Sequence, residues 1–336
     1  MSTPIATVST GQLEGRMVTV DDRAALAFGG VPYADAPVGP RRFALPRPAR
    51  PWNGVRPCVE RGAGAPQQVD DELVPDMTPA RFTEDCLTAE VFTPALDGAH
   101  PVLVWVHGGA YSMGAAGLAT YDGSRLAAEH DLVVVGLNYR LGALGFLSLD
   151  GAPTNLGLHD LIAGLEWTQR EISAFGGDPE RVTLMGESAG AGAIAHLLGA
   201  PRARGLFDGA ILQSGAPTAT LDAEQAGMVS EVFVEEVGTG DITELREIPV
   251  DAVVEAQTRT ADRVLDRVGK MPFHPVIDGD LLPVAPLTAA RAGDLAPVPL
   301  VIGTNSDEMA LFRDQVPSLP DALIDLVLTP KLRAAT

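Results

Sequence analysis

Cysteine is nearly absent from this 336-residue chain, which carries only Cys58 and Cys86. There is no Cys-x-x-Cys pair and no His-x-x-x-His spacing, so the sequence contains neither a disulfide framework nor a zinc-ligand pattern. Both thiols are expected to be reduced, as in an intracellular protein. Positive charge is scarce too. Against 44 Asp and Glu stand 24 Lys and Arg, a net charge of -20. That balance repels phosphate backbones and anionic lipid, which argues against nucleic-acid and membrane partners. No apolar run approaches the ~20 residues of a spanning helix, and no charged segment followed by an apolar one opens the chain, so a cytoplasmic protein is expected. Aromatic residues are only 5%, yet 46% of residues are apolar, enough for the core of one large α/β domain.

What is present alternates. Short strands broken by Gly and Pro are expected at 5–8, 12–18 and 25–28, followed by a Pro-punctuated irregular connection over 53–81. Apolar strands then recur at 87–92, 102–106, 132–137, 182–185, 210–213 and 299–302, and imply a mostly parallel sheet covered on both faces. Helical patterns fill the gaps at 123–129, 156–174 and 189–198. A longer helical stretch, 223–268, breaks near Gly238 and Pro249, and places a helical insertion at 216–272 within the domain.

One turn carries chemistry. Gly186-Glu187-Ser188-Ala189-Gly190 follows the apolar run 182–185 and precedes a helical segment, the strand, tight turn and helix context of a nucleophile elbow. A serine hydroxyl is a weak nucleophile and needs a base, a group that orients the base, and donors for the developing oxyanion. Donors are offered by His107-Gly108-Gly109 at the end of an apolar strand, where side-chain-free backbone can aim Gly108 and Gly109 N–H, with Ala189 N–H as a third. Two carboxylates, Asp307 and Glu308, follow the last strand, at the sheet end where α/β enzymes gather catalytic groups; either can serve as the acid.

The ordered blocks Phe28-Gly29-Gly30-Val31-Pro32-Tyr33, Glu84-Asp85-Cys86-Leu87, Asn138-Tyr139-Arg140-Leu141-Gly142, Asn155-Leu156-Gly157-Leu158-His159-Asp160, Phe175-Gly176-Gly177-Asp178-Pro179 and Leu212-Gln213-Ser214-Gly215 resemble the type B carboxylesterase family. The resemblance covers nearly the whole chain. It implies an α/β-hydrolase fold, ester hydrolysis through an acyl-enzyme and no cofactor; no metal is expected, since no ligand spacing is present. By position it makes Ser188 the nucleophile, Glu308 the triad acid, and Gly108, Gly109 and Ala189 the oxyanion donors. It also implies an ion pair between Glu84 and Arg140, and a supporting place for Ser214 near the acid.

The chain departs from this family in one respect: relatives supply a histidine after the acid, whereas His100, His107, His130, His159, His196 and His274 all precede Glu308. The C-terminal part of the fold is therefore expected to be missing, with the strand at 299–302 left as an apolar edge open to self-association. Of the six, His196 is expected to pack in the core, His274 to lie on a loop near the acyl pocket, and His100, His130 and His159 to sit at the surface or at element ends. The expected substrate is a small to medium apolar ester, with turnover impaired by the lacking base. The rival expectations are a truncated esterase and a non-catalytic homologue that serves as a binding scaffold.

Overall fold

The computed structural model describes residues 3–68, 81–215, 219–269, 271–308 and 310. They belong to two units, 1–302 and 303–336. In the first, β1 (Ile5–Val8) pairs antiparallel with β2 (Gly11–Glu14), and β5 (Val55–Pro57) joins β2 in parallel to make a small sheet. The single strand expected over 12–18 is two strands. The chain leaves the small sheet at Gly15 and enters a larger one as β3 (Arg16–Val20). A Cβ at Gly15 would lie 2.6 Å from the Phe28 ring and 2.8 Å from the Ala27 carbonyl oxygen, so only glycine can make that crossing. The connection after β5 is irregular, and its part at 69–80 lies outside the described residues.

The large sheet holds β4 (Arg23–Pro32), β6 (Thr88–Thr93), β7 (His100–Val106), β8 (Val133–Leu137), β9 (Gly177–Glu187), β10 (Gly209–Gln213) and β11 (Leu300–Gly303). Among the described residues its order is β11-β10-β9-β7-β8-β6-β4-β3. Pairing is antiparallel from β3 to β8, through β4 and β6, and parallel from β8 through β7 and β9 to β10. The helices between the strands are α1 (Ser124–His130), α2 (Gly142–Phe146), α3 (Leu156–Glu171) and α4 (Ala189–Gly199).

Helix α4 packs on β7, β9 and β10, and α1 on β3, β4, β6 and β8. Every residue of β6 and β8 is buried, as a doubly covered sheet requires. Strands β7, β9 and β10 differ. Val104, Leu184 and Ala210 are buried, whereas their neighbours Trp105, Met185 and Ile211, in register on the opposite face, are only half-buried. On that face the Trp105 ring lies 5.1 Å from the Tyr121 ring, and Leu126 of α1 lines the same recess as Trp105 and Met185, so helices flank the sheet as expected.

Between β10 and β11 lie α5 (Ala223–Val237), α6 (Ile242–Glu247) and α7 (Val250–Val268), then α8 (Pro286–Ala292). The breaks occur where the sequence places them. Asp222 caps α5 with Gln225 in a reciprocal capping box, Gly238 ends it at φ 92°, Asp241 caps α6, and Pro249 precedes α7. α7 packs on α5 and α2.

Cys58 and Cys86 are buried and unbridged, and burial pushes the Cys58 thiol up to about 11 and Cys86 higher still. No helix among the described residues is long and apolar enough to cross a membrane. In the second unit the described residues form a turn in which the Asn305 N–H donates to Glu308 Oε2 at 2.6 Å.

Candidate active site

Ser188 joins the end of β9 to the start of α4 with φ 54° and ψ -120°, a conformation that non-glycine residues rarely adopt and that costs on the order of 1–3 kcal/mol. The surroundings hold it there. Its N–H donates to Gln213 O at 2.8 Å, and its carbonyl accepts from Gly192 N–H at 2.9 Å. Close packing explains the flanking glycines: a Cβ at Gly186 would lie 2.7 Å from Gly190 C, and one at Gly190 would lie 2.1 Å from Val106 O. Ala189 opens α4, so its N–H has no partner within the helix.

Gly108 sits against this elbow: a Cβ there would lie 3.2 Å from Ser188 Cβ and 2.6 Å from Glu187 Oε2. Two hydrogen bonds set the directions of the neighbouring N–H groups. Tyr139 OH donates to His107 O at 2.9 Å and so fixes the peptide whose N–H belongs to Gly108. His107 Nδ1 lies 2.8 Å from Gly108 O, which can only accept, so the ring carries its proton on Nδ1. That second bond fixes the peptide whose N–H belongs to Gly109. In a planar peptide the C=O and N–H point in opposite directions, so anchoring each oxygen aims each donor. Burial pushes His107 down to about 4, which keeps its ring neutral. The Tyr139 ring stacks on it with centroids 4.6 Å apart. Beyond it the turn is strained, with positive φ at Gly109 (107°), Ala110 (56°) and Tyr111 (57°).

The other histidines are placed as follows. His196 is buried on α4, with Nδ1 2.7 Å from Gly192 O and Nε2 2.8 Å from Thr220 Oγ1, and burial pushes it down to about 4. It packs in the core as expected. Burial also lowers His274, which bonds to the backbone of Ala219 and whose Nδ1 has no partner among the described residues. His159, expected at the surface or at an element end, lies in the first turn of α3, where it is buried with Arg202 Nη1 3.5 Å from its Nδ1. Among the described residues no histidine is hydrogen-bonded to Ser188 Oγ. Glu308 belongs to the second unit, where its carboxylate accepts from Asn305.

The expected ion pair of Glu84 with Arg140 is not formed. Arg140 takes Asp160 in a fully buried two-pronged pair at 2.8 and 2.7 Å, and Glu84 takes Arg42 at 2.6 and 2.7 Å. Each guanidinium meets the carboxylate whose two oxygens match its planar fork, an exchange of partners that a linear pattern of charged residues does not encode. Tyr139 is a residue beside the candidate site that the sequence concealed, since its hydrogen-bond acceptor is 32 positions away.

A strained serine between a strand and a helix, a glycine pressed against it, and a mixed sheet flanked by helices together define the α/β-hydrolase class. The family model described as the carboxylesterase family matches residues 2–325, and the chain belongs to this family. It is 39% identical to the para-nitrobenzyl esterase of Bacillus subtilis over 93% of its own length and 64% of that protein's. It is 38% identical to an acylcarnitine hydrolase of Mus musculus over 91% of its length and 56% of that protein's. The chain therefore spans about two thirds or less of these relatives. Among solved structures, a PNB esterase superposes with a TM-score of 0.86 at 36% identity, covering 97% of this chain and 68% of that one. A Geobacillus stearothermophilus carboxylesterase superposes with a TM-score of 0.84 at 37% identity, covering 94% and 64%.

Proposed function

We propose that this chain is a serine carboxylic ester hydrolase that acts through an acyl-enzyme on small to medium apolar esters. The observation that carries the proposal is the elbow itself, with strained Ser188 and Gly108 packed against it. Ser188 Oγ bonds the acyl carbon while its proton passes to a base. The carbonyl electron pair moves onto oxygen and is held by the N–H groups of Gly108, Gly109 and Ala189. When the pair returns, the ester C–O bond breaks and the protonated alcohol leaves; water then repeats the cycle on the acyl-serine. Glu308 is assigned as the acid that orients the base.

All six histidines of the sequence precede Glu308. Losing a triad base costs on the order of a millionfold in kcat and leaves ~10³–10⁴ over water, so slow turnover is part of the proposal. The names of the relatives, a para-nitrobenzyl esterase and an acylcarnitine hydrolase, support the reaction class. Hydrolysis of p-nitrophenyl acetate and butyrate by the wild type and by Ser188→Ala tests it. A faster wild type is expected; equal rates refute Ser188-dependent hydrolysis and leave a binding protein.

A further inference from the structure

The turn that follows the donor pair is gripped from outside by a side chain for which the reaction gives no direct use. Gln67 Oε1 accepts the Gly114 N–H at 2.7 Å, and its Nε2 donates to Gly114 O at 2.9 Å and to Ala65 O at 2.8 Å. The orientation of the carboxamide is unambiguous, since the Gly114 N–H can only donate and therefore takes the oxygen. Both backbone groups of one residue are held by one planar amide, much as a neighbouring strand would hold them.

Gly114 is the residue on which the donor peptides rest. Its φ is 105°, and a Cβ there would lie 2.6 Å from His107 Nδ1 and 2.7 Å from Gly108 O. Those two atoms make the hydrogen bond that aims the Gly109 N–H. Any shift of Gly114 moves directly against them. The turn is closed by Ser112 and Met113 N–H, both 2.9 Å from Gly109 O, and its middle is tied by Gly142 N–H to Tyr111 O at 2.7 Å. Only Gln67 holds its far end to the preceding segment among the bonds described. That segment is itself anchored, with Asn138 Nδ2 donating to Ala63 O at 3.2 Å and Gly62 N–H donating to Glu90 Oε1 at 2.7 Å.

We propose that Gln67 is a positioning residue for the oxyanion donors, acting through Gly114 to fix the angle of the peptide between Gly108 and Gly109. This rests on the hydrolase assignment for its catalytic consequence, but not for its structural one. A misplacement of about 1 Å costs on the order of a hundredfold in a positioned reaction. Losing these half-buried hydrogen bonds opens local exchange by about tenfold.

The test compares Gln67→Ala and Gln67→Glu with the wild type. Glutamate has nearly the same shape but sets an oxygen against Gly114 O. A side chain that merely fills space predicts wild-type behaviour for Gln67→Glu, whereas the clamp predicts that both variants fail alike. Expected are a fall of about tenfold to a hundredfold in the Ser188-dependent kcat for p-nitrophenyl butyrate with KM little changed, and faster amide exchange confined to 107–114. Unchanged exchange across 107–114 in both variants overturns the proposal, as does a wild-type kcat in Gln67→Glu. Should the wild type prove no faster than Ser188→Ala, the hydrolase assignment fails by itself, and the exchange measurement still decides the clamp.

Discussion

Tyr139→Phe isolates the bond that aims the Gly108 N–H. The ring is fully buried and stacks on His107, so phenylalanine keeps the packing and deletes one hydroxyl. What is lost is the 2.9 Å bond to His107 O, leaving a buried carbonyl without its donor. A buried acceptor stripped of its partner costs about 1–3 kcal/mol, and urea unfolding should show a loss in that range. The catalytic effect is separate. Freed from its anchor, the peptide between His107 and Gly108 can rotate, and one weakened oxyanion donor lowers kcat by up to about a hundredfold. The signature in p-nitrophenyl ester hydrolysis is a fall in kcat at nearly constant KM, because the donor meets charge only as the transition state forms. The Ser188→Ala background should show no further fall. A variant as stable and as fast as the wild type, or one altered only in KM, would refute the argument.

Two further outcomes follow from other parts of the chain. Burial raises Glu90 to about 7, while Gly30 and Gly62 N–H donate to it and Arg61 and Arg16 oppose the rise. The folded state therefore holds a proton that the unfolded state has released, and stability falls as pH rises between roughly 4.5 and 7. Glu90→Gln keeps the accepting oxygen and should stabilise the protein by about 3 kcal/mol at pH 8 but not at pH 4, measured by urea unfolding; equal effects at both pH values would contradict this. Leu300, Val301 and Ile302 of β11, the last strand of the sheet among the described residues, are 44%, 63% and 58% exposed. Sedimentation should show concentration-dependent association that Val301→Lys with Ile302→Lys abolishes, and identical monomers in both proteins would dismiss the edge as a contact.

Most of the framework was legible because periodicity and glycine report local geometry. The strand, Ser188 and α4 sequence is readable from Gly186 to Gly190, where steric demand fixes residue type. Short elements escaped. The five residues of α2 carry two glycines, demanded by Gln257 near Gly142 and by Arg140 O, 2.2 Å from a Cβ at Gly145, so no apolar period survives. Partner choice escaped for a different reason. Arg140 with Asp160, Tyr139 with His107 and Gln67 with Gly114 are decided by how distant elements stack, and nothing in the local pattern of either partner points to the other. Likewise, the sequence shows that Trp105 and Met185 are apolar but not what packs on them.

The central claim is that Ser188 forms the acyl-enzyme. Incubation with p-nitrophenyl butyrate, acid quenching and peptide mass mapping should find the butyryl group on the peptide that contains Ser188, and on no peptide of Ser188→Ala. An unmodified Ser188 peptide alongside Ser188-independent release of p-nitrophenol would contradict it.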